Sequence, residues 1–275
     1  MTRVAICAPA TPIKPELADR VKTYAAVHCA DIDLVFHEQC FAQDGHFAGR
    51  DEVRTNAFLD CANDPGFDAV WFAKGGYGSN RIAAAALAGM NEAAARKAYL
   101  GYSDCGTLLA ALYRAGIGRP VHAPMPIDIK RKRGEKAVAR SLAWLTGDAS
   151  GCAQSSDDVP IAPFNLTTLA MLVGTEFMPD LAGHEVWIEE IAEYEYAIDR
   201  MLFHVTQHLP EIAGIRLGEV TKVPENNRPF GAGPEAIVRD WCGRSGIAYL
   251  GRCPIGHTAD NHVVPFGLAR ASRAP

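Results

Sequence analysis

One segment of the chain, Leu100-Gly101-Tyr102-Ser103-Asp104-Cys105-Gly106-Thr107, predicts the end of a buried strand, a sharp turn and the start of a helix. Apolar residues precede this segment, and helix-forming residues follow it. Such a turn raises a serine hydroxyl above the carboxyl edge of a sheet and directs helical N–H groups toward developing negative charge. Ser103 is therefore a candidate nucleophile. An ordinary Ser/Asp helix cap would give the same local pattern.

The sequence on both sides of this segment alternates between strand-like and helical runs. These runs are Val4–Ala8, Glu16–Ala26, Ile32–Phe36, Asp51–Cys61, Ala69–Ala73, Ile82–Ala88, Ala98–Leu100 and Leu108–Tyr113. The alternation predicts an α/β fold in which helices cover a parallel sheet. In such sheets, ligands bind beyond the carboxyl ends of the strands.

The chain is expected to contain two domains. Residues 1–146 form the N-terminal α/β domain, and residues 147–163, rich in Gly, Ser, Asp and Pro, form a linker. Residues 164–275 form a smaller C-terminal domain of mixed strands and helices. Its expected elements are Leu166–Val173, a strand at Val186–Glu189, a helix at Ala197–His208 and a strand at Ile247–Leu250.

Composition narrows the class of protein. The chain has 275 residues, 48% of them hydrophobic, which is enough for a substantial core. No apolar run reaches the length of a membrane span, and the apolar start is too short for a signal peptide, so a cytoplasmic protein is expected. The net charge of −5 argues against nucleic acid as the main partner, and the basic cluster Lys130–Arg133 is interpreted as a solvated loop or linker.

The cysteines and histidines give no metal-binding motif. The eight cysteines include no CxxC pair, so reduced thiols are expected rather than a zinc site or a disulfide framework. His204 and His208 have the i, i+4 spacing of a helical metal site, but no H-E-x-x-H pattern accompanies them. We therefore predict neither a metal nor an organic cofactor.

A second glycine-rich segment, Lys74-Gly75-Gly76-Tyr77-Gly78, also lies between a strand and a helix. It matches neither G-x-G-x-x-G nor a Walker A sequence. Consecutive glycines let backbone N–H groups approach an oxygen closely, although a plain tight turn is the alternative. Beside the serine turn, Gly75 or Gly76 is expected to donate the second N–H of an oxyanion hole, with Asp104 N–H as the first. Our assignment is Gly76.

Two acids and three histidines are further candidates. Glu189 and Glu190 end a short apolar strand, and because adjacent strand residues point to opposite faces, only one of them is expected to face the site. His257 lies in a loop near the C-terminus, where a general base from a second domain would be expected. His262 is its nearest competitor. His122 precedes Ala-Pro-Met and is a weaker candidate for a place near the site.

Taken together, four segments resemble the serine-type LD-carboxypeptidases, which include muropeptide-recycling enzymes and microcin-immunity peptidases. That family has Arg-Gly-Gly-Tyr-Gly, Gly-x-Ser-Asp, Leu-Glu-Asp and Gly-His in this order. The matching segments are Lys74-Gly75-Gly76-Tyr77-Gly78, Gly101-Tyr102-Ser103-Asp104, Ile188-Glu189-Glu190 and Gly256-His257. The resemblance chooses Glu189 over Glu190 and assigns Ser103 as nucleophile, His257 as general base and Glu189 as the acid that orients it.

The resemblance also implies a fold and a function. The fold would be a glutamine-amidotransferase-like parallel sheet domain with a smaller, swivelling C-terminal domain, the active site between them, and a homodimeric assembly. The function would be release of terminal D-alanine from murein tetrapeptides in cell-wall recycling. The alternatives are hydrolysis of another acyl amide, such as a peptide-nucleotide antibiotic, and non-catalytic muropeptide binding.

Substrate contacts and departures from the family complete these expectations. Lys74, Gly75, Tyr77 and Arg81 are expected to bind substrate, with a cation meeting the terminal carboxylate. Lys74 stands where the family usually has arginine, and Gly106 stands where it commonly has threonine. Pro163-Phe164 replaces two glycines, which makes the choice of substrate harder to infer than the chemistry.

Overall fold

Two largely parallel sheets organise the protein, for which a computed structural model describes residues 1–153 and 158–268. The first sheet has the order β10-β5-β4-β3-β1-β2, and all of its strands are parallel except β10. Its strands are β1 (Thr2–Cys7), β2 (Ile32–Phe36), β3 (Ala69–Phe72), β4 (Ala98–Gly101), β5 (Arg119–His122) and β10 (Val264–Pro265). The predicted α/β class is confirmed.

In the part of the chain that the structure describes, five helices accompany the first sheet. Three of them pack against one another in series, and the other two pack together with the 3-10 turn Pro126–Lys130. The series is α2 (Asp51–Asn63), α3 (Ser79–Ala88) and α4 (Gly106–Ala115), and the pair is α1 (Pro15–His28) and α5 (Gly134–Leu145). The central strands β3 and β4 are apolar and wholly buried, as a parallel sheet covered by helices requires.

The second sheet is parallel throughout and has the order β6-β7-β8-β9. Its strands are β6 (Ile161–Asn165), β7 (Glu185–Ile191), β8 (Gly214–Thr221) and β9 (Tyr249–Arg252). Three helices, α6 (Leu166–Leu172), α7 (Glu195–His208) and α8 (Pro234–Ser245), pack along it in series. Buried side chains from both sheets belong to one continuous apolar cluster.

The boundaries of the predicted domains differ from the structure in two places. The predicted linker, 147–163, ends inside β6, because Pro163 occupies an edge strand where its missing N–H breaks no interior ladder. Val264–Pro265 fall in the predicted C-terminal domain, but they form β10, which pairs antiparallel with β5 of the first sheet. The chain therefore returns to the first sheet after completing the second. Residues 154–157 of the predicted linker lie outside the described residues.

The interpretation of Lys130–Arg133 as a solvated loop is wrong for part of the cluster. Arg131 Nε pairs with Asp128 at 2.7 Å, and the Asp128 side chain is only 1% exposed. Arg133, with a φ of +60°, immediately precedes α5. The cluster thus forms the turn between Pro126–Lys130 and α5, in which Arg131 is half-buried and the other three basic residues are exposed. Among the described residues, none of the helices combines the length and the apolar character needed to cross a bilayer.

Candidate active site

Ser103 occupies a strained turn directly after β4, near the middle of the first sheet. Its φ is +60°, a left-handed conformation that non-glycine residues rarely adopt. Gly101 permits the close approach beneath it, since a Cβ at that position would lie 2.7 Å from the Phe72 ring. A 3-10 turn, Ser103–Cys105, then leads into α4. The predicted strand, turn and helix are all present.

The structure brings the three predicted residues Ser103, His257 and Glu189 together. His257 Nε2 lies 3.1 Å from Ser103 Oγ, and His257 Nδ1 lies 2.7 Å from Glu189 Oε2. The Glu189 side chain is fully buried and that of His257 is 9% exposed. A carboxylate that accepts the Nδ1 hydrogen leaves Nε2 free to accept the serine proton. The arrangement has the geometry of a nucleophile, a base and an orienting acid.

The glycine-rich loop lies against the serine turn. A Cβ at Gly75 would lie 3.3 Å from Ser103 Oγ and 3.4 Å from the Asp104 amide nitrogen. Gly76 has a φ of +113°, and a Cβ there would meet Thr11 at 2.8 Å. Thr11 Oγ1 also donates to the Gly75 carbonyl at 2.5 Å. Gly75 therefore allows close packing on Ser103 and the Asp104 amide, whereas Gly76 is required by its positive φ and by the Thr11 side chain.

The Asp104 side chain fastens the glycine-rich loop to the serine turn. Its carboxylate accepts from Ser79 N at 2.9 Å and from Gly78 N at 3.2 Å, at the N-terminus of α3. Burial raises the pKa of this carboxyl, whereas the two amide donors act in the opposite direction. Negative charge at a helix N-terminus is favourable, so Asp104 holds the two loops in fixed relation.

A second polar cluster, which sequence reasoning missed apart from His122, supports the His257 loop. Asn261 Oδ1 accepts from Gly256 N at 3.1 Å and lies 3.0 Å from His122 Nε2. The Tyr102 ring lies between two imidazoles, with centroids 5.4 Å from that of His122 and 4.8 Å from that of His257. Asn261 and His122 therefore position the loop that carries His257. The sequence signal was only the short spacing between His257 and Asn261.

Glu190, the competitor of Glu189 for the role of the orienting acid, makes different contacts. Glu190 is buried like Glu189 and accepts hydrogen bonds from Asn165 and Thr167, each at 2.8 Å. It lines the same cavity as Ser103, so the expectation that only one of the two acids could face the site is wrong. The pairing of β7 with β8 shifts register here, but the extra residue lies in β8, between Leu217 and Val220. Along β7, Glu189 contacts His257 and Glu190 lines the cavity.

The other histidines lie outside the Ser103 contacts. His262 N donates to the Pro254 carbonyl at 2.9 Å, and burial lowers the pKa of its ring. His204 and His208 lie together on α7, with ring centroids 4.5 Å apart. Within residues 1–153 and 158–268, no group of three or more His, Cys, Asp or Glu side chains could hold a metal ion.

A cavity of about 390 Å³ opens beside Ser103. Its walls come from both sheets and from α6, and they carry mainly hydroxyl, amide and apolar groups. The lining residues are Gly76, Tyr77, Asn80, Ser103, Asp104, Thr107, Asn165, Thr167, Thr168, Met171, Leu172, Thr175, Phe177, Glu190, Ile191 and Glu193. Among the described lining residues there are three acids and no lysine or arginine.

The two predicted cations are engaged elsewhere. Arg81 pairs with Asp51 at 2.8 Å, and Lys74 Nζ donates to the Pro12 carbonyl at 3.2 Å. Burial lowers the pKa of the Lys74 amine. Of the four residues predicted to bind substrate, Tyr77 lines the cavity and Gly75 packs on Ser103, whereas Lys74 and Arg81 do not line it. The structure therefore gives no contact between either cation and this cavity.

The buried His122 predicts a specific pH dependence of stability. Burial lowers the pKa of its ring to about 4. Its unfolded pKa is about 6.5, so the unfolded chain binds the proton more tightly. The contribution of the neutral His122 ring to the free energy of unfolding is therefore complete above pH 6.5. As the pH falls toward 4, up to about 3 kcal/mol of this contribution is lost.

We expect His122→Gln, which can still donate to Asn261, to remove most of this loss. Urea unfolding at pH 7 and pH 4.5 gives the acid-induced loss in the free energy of unfolding for each protein. The difference between the two losses belongs to His122, because the other titrating groups are the same in both proteins. An equal acid-induced loss in both proteins would mean that His122 is not held neutral in the folded state.

Two family models match the chain in tandem. The LD-carboxypeptidase N-terminal domain matches residues 4–123, and the LD-carboxypeptidase C-terminal domain matches residues 160–271. The murein tetrapeptide carboxypeptidase of Pseudomonas aeruginosa is 27% identical over 285 residues, which cover 96% of this chain and 91% of that protein. The probable murein peptide carboxypeptidase of Bacillus subtilis is also 27% identical, over 98% of this chain and 88% of its own length.

Solved structures share the fold over nearly the whole chain. The muramoyltetrapeptide carboxypeptidase from Oxalobacter formigenes superposes with a TM-score of 0.80 at 22% identity, covering 97% of this chain and 93% of that one. The microcin C7 self-immunity protein MccF superposes with a TM-score of 0.79 at 17% identity, covering 97% and 91%. Since the two family models together match most of the sequence, the chain belongs to the LD-carboxypeptidase family of peptidases.

Proposed function

We propose that the protein is a serine LD-carboxypeptidase that releases terminal D-alanine from murein tetrapeptides in cell-wall recycling. The observation that carries this proposal is the continuous hydrogen-bonded line from Ser103 Oγ through the His257 ring to Glu189. The names of the similar carboxypeptidases support the choice of a murein peptide as substrate. A protein that only binds muropeptides would not need a serine held in a strained turn against a paired imidazole.

In the proposed reaction, Ser103 Oγ attacks the carbonyl carbon of the bond before the terminal D-alanine. His257 Nε2 takes the serine proton during the attack and then gives it to the departing amine of D-alanine. The peptide remains as an ester on Ser103. Water, deprotonated by the same nitrogen, attacks that ester and restores the serine hydroxyl. The N–H groups of Asp104 and Gly76 are the proposed donors to the tetrahedral oxyanion.

Glu189 has an electrostatic role in this cycle. Its Oε2 accepts the His257 hydrogen bond, and within the described part of the chain its buried Oε1 has no hydrogen-bond partner. A buried carboxylate with one unsatisfied oxygen is poorly stabilised until a positive charge forms beside it. Proton transfer to His257 creates that charge, so Glu189 interacts more strongly with the transition state than with the resting enzyme.

The charge of the cavity indicates which side of the substrate enters it. Glu190 and Asp104 are already satisfied by protein donors, whereas Glu193 is a half-buried acid on the wall. A negatively charged terminal carboxylate is disfavoured there. We therefore place the L-residue of the L–D bond and its side chain in this cavity, where an amino group on that side chain would meet Glu193.

We also infer that the enzyme works in the cytoplasm, a location favoured by its eight free cysteines. The homodimer implied by the resemblance to the family stays a prediction.

Incubation with a murein tetrapeptide tests the proposed function. Mass spectrometry should show the loss of one alanine with the wild-type protein, and Ser103→Ala should lower kcat by several orders of magnitude because the nucleophile is absent. Circular dichroism would confirm that the variant is folded. Turnover by folded Ser103→Ala at the wild-type rate, or an intact tetrapeptide after incubation with the wild type, would contradict the proposal.

The two neighbouring acids should affect different measurements. Glu189→Gln should lower kcat by about 10³- to 10⁴-fold, because the imidazolium loses its counter-charge and its orienting acceptor. Glu190→Gln should mainly lower the free energy of unfolding, by about 1–3 kcal/mol, because its satisfied hydrogen bonds to Asn165 and Thr167 are disturbed. Steady-state kinetics and urea unfolding on both variants separate these effects. A larger fall in kcat for Glu190→Gln would reverse the assignment.

A further inference from the structure

Tyr102, the residue before the nucleophile, takes no part in the reaction described above. It is buried, with 1% of the residue exposed, and its ring lies next to the imidazoles of His122 and His257. The centroid of the Tyr102 ring is 4.8 Å from that of His257, and the two planes are inclined by 51°. This separation is within the range of about 6 Å over which an aromatic ring attracts a cation.

The hydroxyl group of Tyr102 holds the ring in place. It donates to Asp128 Oδ1 at 2.8 Å, and Asp128 also accepts from Arg131 Nε at 2.7 Å and from Met125 N at 2.8 Å. Burial and the neighbouring Asp128 charge raise the pKa of the Tyr102 hydroxyl, so the hydroxyl stays protonated and remains a donor. A ring that is fixed beforehand needs no reorganisation when charge forms beside it.

Only one of the two imidazoles beside Tyr102 gains a proton in the proposed cycle. His257 takes the Ser103 proton and becomes an imidazolium, which Glu189 contacts through Nδ1. His122 stays neutral at neutral pH, because burial lowers its pKa to about 4. The Tyr102 ring is therefore placed beside a cation that exists only while the reaction proceeds.

The charges around the His257 imidazole leave Glu189 as its direct counter-charge. The titratable and charged groups near it are Glu189 from β7, His122 from β5, Asp128 and Arg131 beside the Tyr102 hydroxyl, and, on its own loop, Asp260, which pairs with Arg140. The last four form two ion pairs, in which the charges oppose each other. An aromatic face adds attraction for the imidazolium without burying a second carboxylate beside Glu189.

We propose that Tyr102 is a positioning residue whose aromatic face stabilises the protonated form of His257 and so favours proton transfer from Ser103. This inference rests on the proposed function, in which His257 is the general base. The attraction is stronger for the imidazolium than for the neutral imidazole. It therefore lowers the energy of the transition state relative to the resting enzyme.

Changing the electron density of the ring while keeping its aromatic shape tests this role. The variants are Tyr102→Phe, which is the reference, and the same variant with two or five fluorines on the ring, which withdraw electrons from its face. Asp128 keeps its bonds to Arg131 and Met125 in all three, so no buried carboxylate is left without a donor. The measurement is the rate at which a fluorophosphonate labels Ser103, across the pH range in which histidine titrates.

The acid limb of the labelling profile should move to lower pH as fluorines are added. Protonated His257 cannot accept the serine proton, and a weaker attraction to the ring makes His257 lose its own proton more readily. From Tyr102→Phe to the five-fluorine ring, we expect the midpoint of the acid limb to require about fivefold more protons in solution. The rate on the plateau should fall by a similar factor, because the imidazolium is also less stable in the transition state.

The matched control carries the same five fluorines on Phe58. That ring is fully buried on α2, and its described ring contacts are with Phe72 at 6.1 Å and Tyr99 at 6.0 Å. It should leave the midpoint of the acid limb unchanged. A midpoint that stays in place when the ring at position 102 is fluorinated, or that moves to higher pH, would overturn the role of Tyr102.

An NMR titration of His257 in Ser103→Ala makes the same comparison without labelling or turnover. Weaker proton binding by His257 as fluorines are added at position 102 would support the inference even if a murein tetrapeptide were not cleaved. Equal proton binding with all three rings would overturn it. Absence of alanine release from the tetrapeptide, with Ser103 still labelled, would contradict the proposed function alone.

Discussion

The hydrogen bond between Glu189 and His257, at 2.7 Å, is the interaction on which the site depends. Glu189 comes from the second sheet, and His257 comes from the loop that leads the chain back toward the first sheet at β10. Ser103 comes from the first sheet. The line of three side chains therefore exists only when both sheets are folded and packed together. Their shared apolar cluster supplies that packing, and the Asn261–His122 contact holds the histidine loop in place.

The departures from the family pattern are located close together. A Cβ at Gly106 would lie 3.4 Å from Thr168 Cγ2 and 4.0 Å from the Phe164 ring. The ring of Phe164 also packs edge-on against Phe266, with centroids 5.5 Å apart. The chain thus has a small residue at the start of α4 and a large one in β6, where the family has threonine and glycine. A Cβ at Gly106 would therefore make only ordinary van der Waals contact with these two side chains.

Much of the fold could be predicted because the first half of the chain alternates clearly between apolar strands and helices. Sequence reasoning missed β5, β6, β8, β10, α5 and α8, since short strands and helices with mixed polarity carry a weak periodic signal. Ser103, Glu189 and His257 were found through motifs. The roles of Asn261 and Glu190 were not found, because the first depends on a loop contact and the second on packing against Asn165 and Thr167, which are distant in the sequence. Lys74 and Arg81 were expected to bind substrate, since nothing in the sequence shows that Lys74 bonds to the Pro12 carbonyl and Arg81 pairs with Asp51.

The central claim is that packing of the two sheets turns Ser103 into a nucleophile through His257. Labelling with a fluorophosphonate measures this most directly, because Ser103 Oγ would displace fluoride from phosphorus while His257 takes the serine proton. Intact-protein and peptide mass spectrometry should find one adduct, on Ser103, and the rate of labelling should fall by several orders of magnitude in His257→Ala. An adduct on another residue, or an undiminished rate in His257→Ala, would contradict the account.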